Sequence, residues 1–350
     1  MLGEVSIDGS YGEGGGQIVR ASLSLAVLTG RPVEVRDIRA ARPRPGLARQ
    51  HLTSVLSAAA LCDAEVEGAR PGSRLLRFVP RGRPEARPYR FEVGTAGSTG
   101  LVLQTVLAPL AFAGVTARVC VSGGTHVPFA PPAEYLEQVY ARALGRAGLA
   151  VGFGYREAGF YPRGGGEAWG EALEPSKPEP FFLAERGRLK ELAAFVVTAG
   201  LPERVGERGA AAAGRRLRDF GRVFRLERRE AGGPGPGAAV VIAAACEGGF
   251  GGFTALGAPG KPMETVAHEA VDRFRTWWRS GAACDEHLAD QLALPAALAA
   301  GESRWSAPRV SSHVRTVLWV LGQFLPVETR LEEREDGTAL VTLRSEGIPG

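Results

Sequence analysis

The chain has 350 residues, 45% of them apolar and 23% charged, which suits a globular protein of two or three domains and excludes a disordered or collagen-like chain. No run approaches the roughly 18 apolar residues of a membrane span, and no basic head with an apolar stretch marks a signal peptide, so a cytoplasmic location is expected. The net charge of +4 is carried almost entirely by arginine, since only Lys177, Lys190 and Lys261 are lysines; it fits a polyanionic partner or simply the genome's base composition.

In chain order, Val5 and Ile7 alternate as a strand and lead into Gly12-Glu13-Gly14-Gly15-Gly16, then a helix over Ala21 to Leu28. A strand, a glycine run and a helix start make an anion site, because bare backbone can approach a phosphate and the first helical N–H groups point at it. Glu13 adds a carboxylate able to hold a divalent cation, and Arg20 adds a bidentate phosphate partner. A ligand-free turn is the plain alternative. Next comes an arginine cluster, Arg36, Arg39, Arg42, Arg44 and Arg49 with Gln50 and His51, readable as a grip on a nucleic-acid phosphate or as a solvated basic loop.

Three segments read as apolar helices ending at glycine: Ala21 to Gly30, Thr105 to Gly114 and Leu292 to Gly301. Each has a second helix candidate downstream, Leu47 to Leu61 (with Leu52, Val55 and Leu56 on one face), Ala133 to Ala147, and His313 to Phe324 behind Ser311 and Ser312 as N-cap candidates. Strand-like alternations at Val33 to Ile38, Leu75 to Val79, Val115 to Val121 and Ala339 to Leu343 fill the gaps. Three βαβαββ-type units therefore repeat along the chain. Extra sequence interrupts the spacing between units two and three, with a strand near Leu189 to Thr198, a helix over Glu203 to Phe220, a strand over Ala238 to Cys246 and a helix over Thr265 to Trp278. The expected fold is α/β (α+β), with residues 1–182 and 279–350 forming the three-repeat domain and 183–278 a small inserted α/β domain. Cys62, Cys120, Cys246 and Cys284 lie far apart without metal-ligand spacing and are expected as buried free thiols.

Of the five histidines, His287 and His313 lie near a carboxylate or a helix start. A histidine at a helix N-terminus stays neutral near pH 7, which suits a nucleophile as well as a simple cap. The rigid loop Gly123 to Pro132 offers a flat apolar edge that can stack an adenine or merely turn the chain. No Walker-type phosphate loop occurs, and no lysine sits in the Lys-x-Asp-Gly setting of ordinary nucleic-acid ligases, so a covalently carried nucleotide would fall to histidine.

Six motifs then coincide in order: GEGGGQIVR (12–20), RAARPRPGLARQHL (39–52), GTAGSTGLVLQT (94–105), SGGTHVPFAPPA (122–133), GFYPRGGGE (159–167) and HLADQL (287–292). The series resembles the RNA 3′-terminal phosphate cyclase family over nearly the whole chain. The resemblance implies three repeats with an inserted domain. It also implies an ATP- and divalent-metal-dependent (Mg or Mn) conversion of an RNA 3′-terminal phosphate to a 2′,3′-cyclic phosphate through a histidine adenylate. Carried across, it puts the covalent histidine at His313 in SSHVRT, and nucleotide contacts at Gln104, Pro131, His287, Asp290 and Gln291. His287 stands where the family carries tyrosine. Glu13 falls beside the metal and the ATP phosphates. Arg20, Arg39, Arg42, Gln50 and His51 fall on the RNA-phosphate side. A non-catalytic cyclase-like RNA or ribosome-assembly factor is the alternative; relatives of that kind lack the histidine that stands here. An enolpyruvyl-transferase-like enzyme shares the repeat ancestry but would carry no nucleotide covalently. Whether the chain forms a homodimer stays open.

Overall fold

The computed structural model describes residues 3–173 and 177–348. Strand β1 (Val5–Asp8) buries Val5 and Ile7 and turns Ser6 and Asp8 outward, the period of a half-buried strand. It is followed by α1 (Gly16–Thr29), β2 (Val33–Arg36), α2 (Arg49–Cys62), β3 (Glu65–Glu67) and β4 (Leu76–Val79). These strands form a sheet of order β1-β2-β4-β3, in which only β1 and β2 run parallel, joined by the crossover helix that a parallel pair requires.

The second unit repeats the plan with β5 (Tyr89–Glu92), α3 (Thr99–Phe112), β6 (Ala117–Gly123), a helical stretch, β7 (Val151–Glu157) and β8 (Gly166–Ala172). The helical stretch runs through α4 (Ala133–Tyr135), a π turn (Leu136–Tyr140) and α5 (Ala141–Arg146). Its sheet has the order β5-β6-β8-β7. The third unit opens with β9 (Phe182–Leu183) and breaks off. There follow β10 (Leu189–Ala199), α6 (Glu203–Leu217), β11 (Phe224–Ala231), β12 (Gly237–Cys246), β13 (Phe250–Leu256) and α7 (Met263–Ser280), with the separate sheet β11-β10-β12-β13 and a second apolar cluster around Val240, Ile242, Val271 and Phe274. The third unit then resumes with α8 (Glu286–Gln291), α9 (Ala293–Leu298), β14 (Ala300–Ala307), α10 (Ser312–Phe324), β15 (Val327–Glu333) and β16 (Ala339–Glu346). Strand β9 pairs with β14 across that gap, so the sheet order is β9-β14-β16-β15, the order of the first two units. The fold is α/β.

The three apolar segments become α1, α3 and α9, which are buried nearly all round; such helices belong inside, and the polar strands outside. Some details differ from expectation. Helix α1 opens at Gly16 rather than Ala21, so the glycine loop runs straight into the helix and Arg20 lies in its second turn. Gly301 ends no helix: α9 stops at Leu298, and Gly301 sits in β14 at φ 130°. Leu56 is half exposed because α2 buries the neighbouring face through His51, Val55 and Ala58. Among the cysteines, all free, Cys120 is only half-buried.

Asp285 fastens the units together. Its Oδ1 caps α8 by accepting from the N–H groups of His287 (2.8 Å) and Leu288 (2.9 Å). Its Oδ2 accepts from Gly252 N–H (2.9 Å) on β13 and from Tyr135 Oη–H (3.3 Å) on α4. Replacing Asp285 by alanine strands three buried backbone donors and should cost about 3 kcal/mol, read as a lower Tm by calorimetry.

Candidate active site

The loop between β1 and α1 folds onto the N-terminus of α10. Gly12 has φ 58°, where glycine is favoured, and a Cβ there would lie 2.7 Å from Thr316 Oγ1 on α10. Tyr11 stacks on Trp319 with ring centroids 4.0 Å apart. This approach brings Glu13 to the first residues of α10. The Ser312 hydroxyl donates to Glu13 Oε1, and Glu13 Oε2 lies 3.4 Å from His313 Nε2. The Ser312 hydroxyl, with His313 and Arg42, holds the Glu13 carboxyl below its usual range, so it is ionised at neutral pH. Ser311 caps α10 by accepting from Val314 N–H (3.2 Å).

The other imidazole nitrogen decides the chemistry. Gln17, in the first turn of α1, donates through Nε2 to Asp290 Oδ2 (2.6 Å) on α8 and presents Oε1 to His313 Nδ1 (2.8 Å). With the amide nitrogen facing the carboxyl group, the amide oxygen faces the ring, and in this arrangement Nδ1 carries the proton. Desolvation, then the charges of His287, Arg20 and Arg42, push His313 below the usual histidine range against the pull of Glu13. A neutral ring with its proton on Nδ1 leaves the Nε2 lone pair free. The side chains of His313 and Glu13 are 48% and 45% exposed, so the pair is reachable from solvent.

Beside it lies a cluster of cations. The Arg20 side chain is half-buried and, among the described residues, makes no hydrogen bond; burial lowers it to about 10 against the pull of Asp290. Gly16 separates Arg20 from His51: a Cβ on Gly16 would overlap the His51 ring and lie 3.1 Å from Arg20 Nη1. His51 Nδ1 accepts from Ala48 N–H (3.1 Å), so Nε2 carries the proton and points at the Gly16 backbone. Burial, with Arg20 and Arg39 nearby, pulls His51 down to about 3, so it remains a neutral donor. Arg39 donates to Gly46 O (2.8 Å), and Arg42 lies 3.5 Å from Glu13. Gln50 Oε1 accepts from Ser98 N–H (3.0 Å) of the second unit. Cations and N–H donors gathered around bare glycine backbone are the groups that can hold an anion.

Alanine at Gly16 is a sharp probe of that cluster. Helix propensity alone favours alanine by about 1 kcal/mol, but the overlap with His51 should outweigh it. The expected result is a net loss of about 1–2 kcal/mol by thermal melting and at least ~10-fold weaker binding of a phosphate-bearing substrate.

The remaining expected residues surround α3 and α8. Gln104 Nε2 is buried with no partner, the state of a donor awaiting a ligand acceptor. Pro131 packs its carbonyl against Gly100 at the start of α3. Gln291 Oε1 accepts from Tyr135 Oη–H (3.4 Å), and His287 is exposed, close enough in charge to influence His313. Among the described residues no group of three or more His, Cys, Asp or Glu is placed to hold a metal ion. Glu13 alone suits an ion that keeps most of its waters and takes the rest of its shell from substrate phosphates.

A family model for RNA 3′-terminal phosphate cyclase matches residues 11–331. The chain belongs to that family. Curated proteins named RNA 3′-terminal phosphate cyclase are similar over nearly their whole length. The Methylococcus capsulatus protein is 43% identical over 350 residues (96% of this chain, 95% of that protein). The Pyrobaculum neutrophilum protein is 41% identical over 347 residues (99% of both), and the Pseudomonas fluorescens protein 44% over 339 residues (94% of both). The cyclase family is one of enzymes that use ATP as substrate. Against that membership, the residue the sequence reading passed over is Gln17. It stands inside the GEGGGQIVR motif, but its partners His313 and Asp290 lie 296 and 273 residues away. Only the fold reveals them.

Proposed function

We propose that this chain uses ATP to convert an RNA 3′-terminal phosphate into a 2′,3′-cyclic phosphate, with His313 Nε2 carrying AMP between the two substrates. The observation that supports this reading is the Gln17 Oε1 contact on His313 Nδ1, which leaves Nε2 as a free lone pair beside the glycine loop. In the first step that lone pair attacks the α-phosphorus of ATP; the P–N bond forms, the bond to the bridging oxygen breaks, and pyrophosphate departs. In the second, an oxygen of the RNA 3′-phosphate attacks the same phosphorus and the electron pair of the P–N bond returns to Nε2. In the third, the adjacent 2′-hydroxyl attacks the RNA phosphorus, loses its proton to solvent or a base, and expels AMP. A phosphate monoester has no good leaving group, and adenylation supplies one.

The roles divide along the site. Gln104, Pro131, His287, Asp290 and Gln291 hold the nucleotide, Gln104 offering its orphaned donor and His287 a flat ring in the tyrosine position. Arg20, Arg39, Arg42, Gln50 and His51 hold the RNA 3′-phosphate, Gln50 with its Oε1 also tied to Ser98 of the second unit. The segment from β10 to α7 acts as a domain inserted into the third repeat, its bounds shifted slightly from 183–278 because Leu183 pairs within the third sheet and α7 runs on to Ser280. Glu13 holds a divalent ion, which when bound neutralises phosphate charge. Glu13→Ala should lower adenylation about 10- to 100-fold, and high Mn²⁺ or Mg²⁺ should restore part of it. Unchanged adenylation at low metal would remove Glu13 from that role.

The test of the whole reading is a two-step label. Protein incubated with α-³²P-ATP should retain acid-labile, base-stable label. Adding RNA with a 3′-phosphate should then release the label as AMP and leave a 2′,3′-cyclic end. RNA recovered with its 3′-phosphate intact would overturn the assignment.

A further inference from the structure

Two large aromatic side chains stand in solvent beside the site. Phe129 is fully exposed, and its backbone sits at φ 61°, a conformation that bulky L residues rarely adopt. Tyr161 is 70% exposed. Strained backbone that holds an apolar ring away from the core is a mark of function.

The loops that carry them are locked together. Gly159 O accepts from the N–H groups of Thr125 (2.9 Å) and His126 (3.1 Å), Gly159 N–H donates to Thr125 Oγ1 (2.8 Å), and the His126 ring stacks on Phe160 with centroids 5.1 Å apart. Behind them the buried His126 Nε2 meets Glu134 Oε2 at 2.8 Å. Arg163 donates to Pro234 O (2.8 Å), fixing the Tyr161 loop to the segment before β12. These rings therefore sit on rigid supports.

The same loops run on to the anion cluster. Gly164 lies against Ala96, where a Cβ would come within 2.6 Å of the Ala96 Cα, and Gly97 lies against the Gln50 side chain. Gln50 stands in the chain between His51 and exposed Arg49. Gly164 is three chain steps from Tyr161, a reach of at most ~11 Å. A strand whose 3′-phosphate rests on Arg20, Arg42 and His51 would pass Gln50 and Ala96 and come to these rings with its next few bases.

We propose that Tyr161 and Phe129 form a stacking platform for the bases just upstream of the RNA 3′-phosphate. This rests on the cyclase reading above, because that reading supplies the anchored end. Aromatic faces accept any base, so the platform confers grip without sequence preference, while the arginines answer the backbone charge.

The test uses the full chain with Tyr161→Ala and Phe129→Ala combined, both surface changes. Self-adenylation with α-³²P-ATP should match the unaltered protein. The KM for a 3′-phosphorylated oligoribonucleotide should rise about 10- to 100-fold, and Tyr161→Trp alone should keep it low. An oligonucleotide whose last three nucleotides before the phosphate lack bases should show the same KM with both proteins. An unchanged KM overturns the platform, as does an equal rise with the abasic substrate. Lost self-adenylation overturns it too, because the rings would then belong to the ATP site. If the unaltered chain forms no adenylate, the cyclase reading fails separately. Direct binding of the same two oligonucleotides then decides the platform: base-dependent loss of affinity in the variant supports it, and unchanged affinity overturns it.

Discussion

His313→Ala should abolish self-adenylation, by about 10⁴-fold or more, while leaving the Tm almost unaltered. The ring is half exposed, and its two polar contacts reach a surface carboxylate and an amide that is also held by Asp290, so its loss opens no cavity in the core. Removal of a covalent nucleophile leaves no second route to the adenylate, which accounts for the size of the effect. Label retention on the denatured protein is the measurement. A variant that labels as fully as the parent would move the nucleophile elsewhere, and exposed His287 is the nearest imidazole to try.

The pH dependence of the parent follows from the same ring. The group is shifted below the histidine value of 6.5, so its neutral form predominates at pH 7 and the acid limb of adenylation should lie below 6.5. An acid limb above 6.5 would mean that Glu13, which pulls the ring upward, outweighs desolvation and the neighbouring cations.

Local signals carried much of this molecule. His313 stood out with His287 because Ser311, a helix start and a histidine lie within three residues, but only the family resemblance chose between the two; Glu13 stood out because its carboxylate interrupts a glycine run. The repeat was legible because α1, α3 and α9 each carry a dense apolar run, which surface helices do not show. Short polar strands were not legible. β3 reads Glu-Val-Glu and is three residues long, and β9 is two residues whose partner lies beyond the whole insertion. Gly301 misled because a glycine after an apolar helix normally marks its end, whereas here the chain has already turned into a strand. Asp285 was invisible for the same reason as Gln17: each earns its place through partners from other units, which no spacing within a unit can signal.

Gln17→Ala should lower adenylation about 10- to 100-fold with His313 still in place, a loss of orientation and not of the nucleophile. Without the amide oxygen at 2.8 Å, Nδ1 loses the acceptor that keeps its proton, and the ring can instead place the proton on Nε2, where Glu13 Oε2 lies 3.4 Å away. That tautomer has no lone pair to offer phosphorus. Asp290 also matters here, because its carboxyl group holds the Gln17 amide the right way round. Burial pushes Asp290 up to about 8 despite Arg20, and a carboxyl oxygen still accepts from the amide when the group is protonated. Gln17→Glu separates orientation from charge. It keeps an acceptor for Nδ1–H but sets a carboxylate against the ring, which raises the ring's pKa, and a second acidic group against Asp290. The raised group stays protonated further up the scale, so the acid limb should move to higher pH, with activity lost near neutrality and regained on the alkaline side. Stopped-flow adenylation rates across pH measure it. Identical pH profiles for Gln17→Glu and the parent would show that Gln17 does not act through His313.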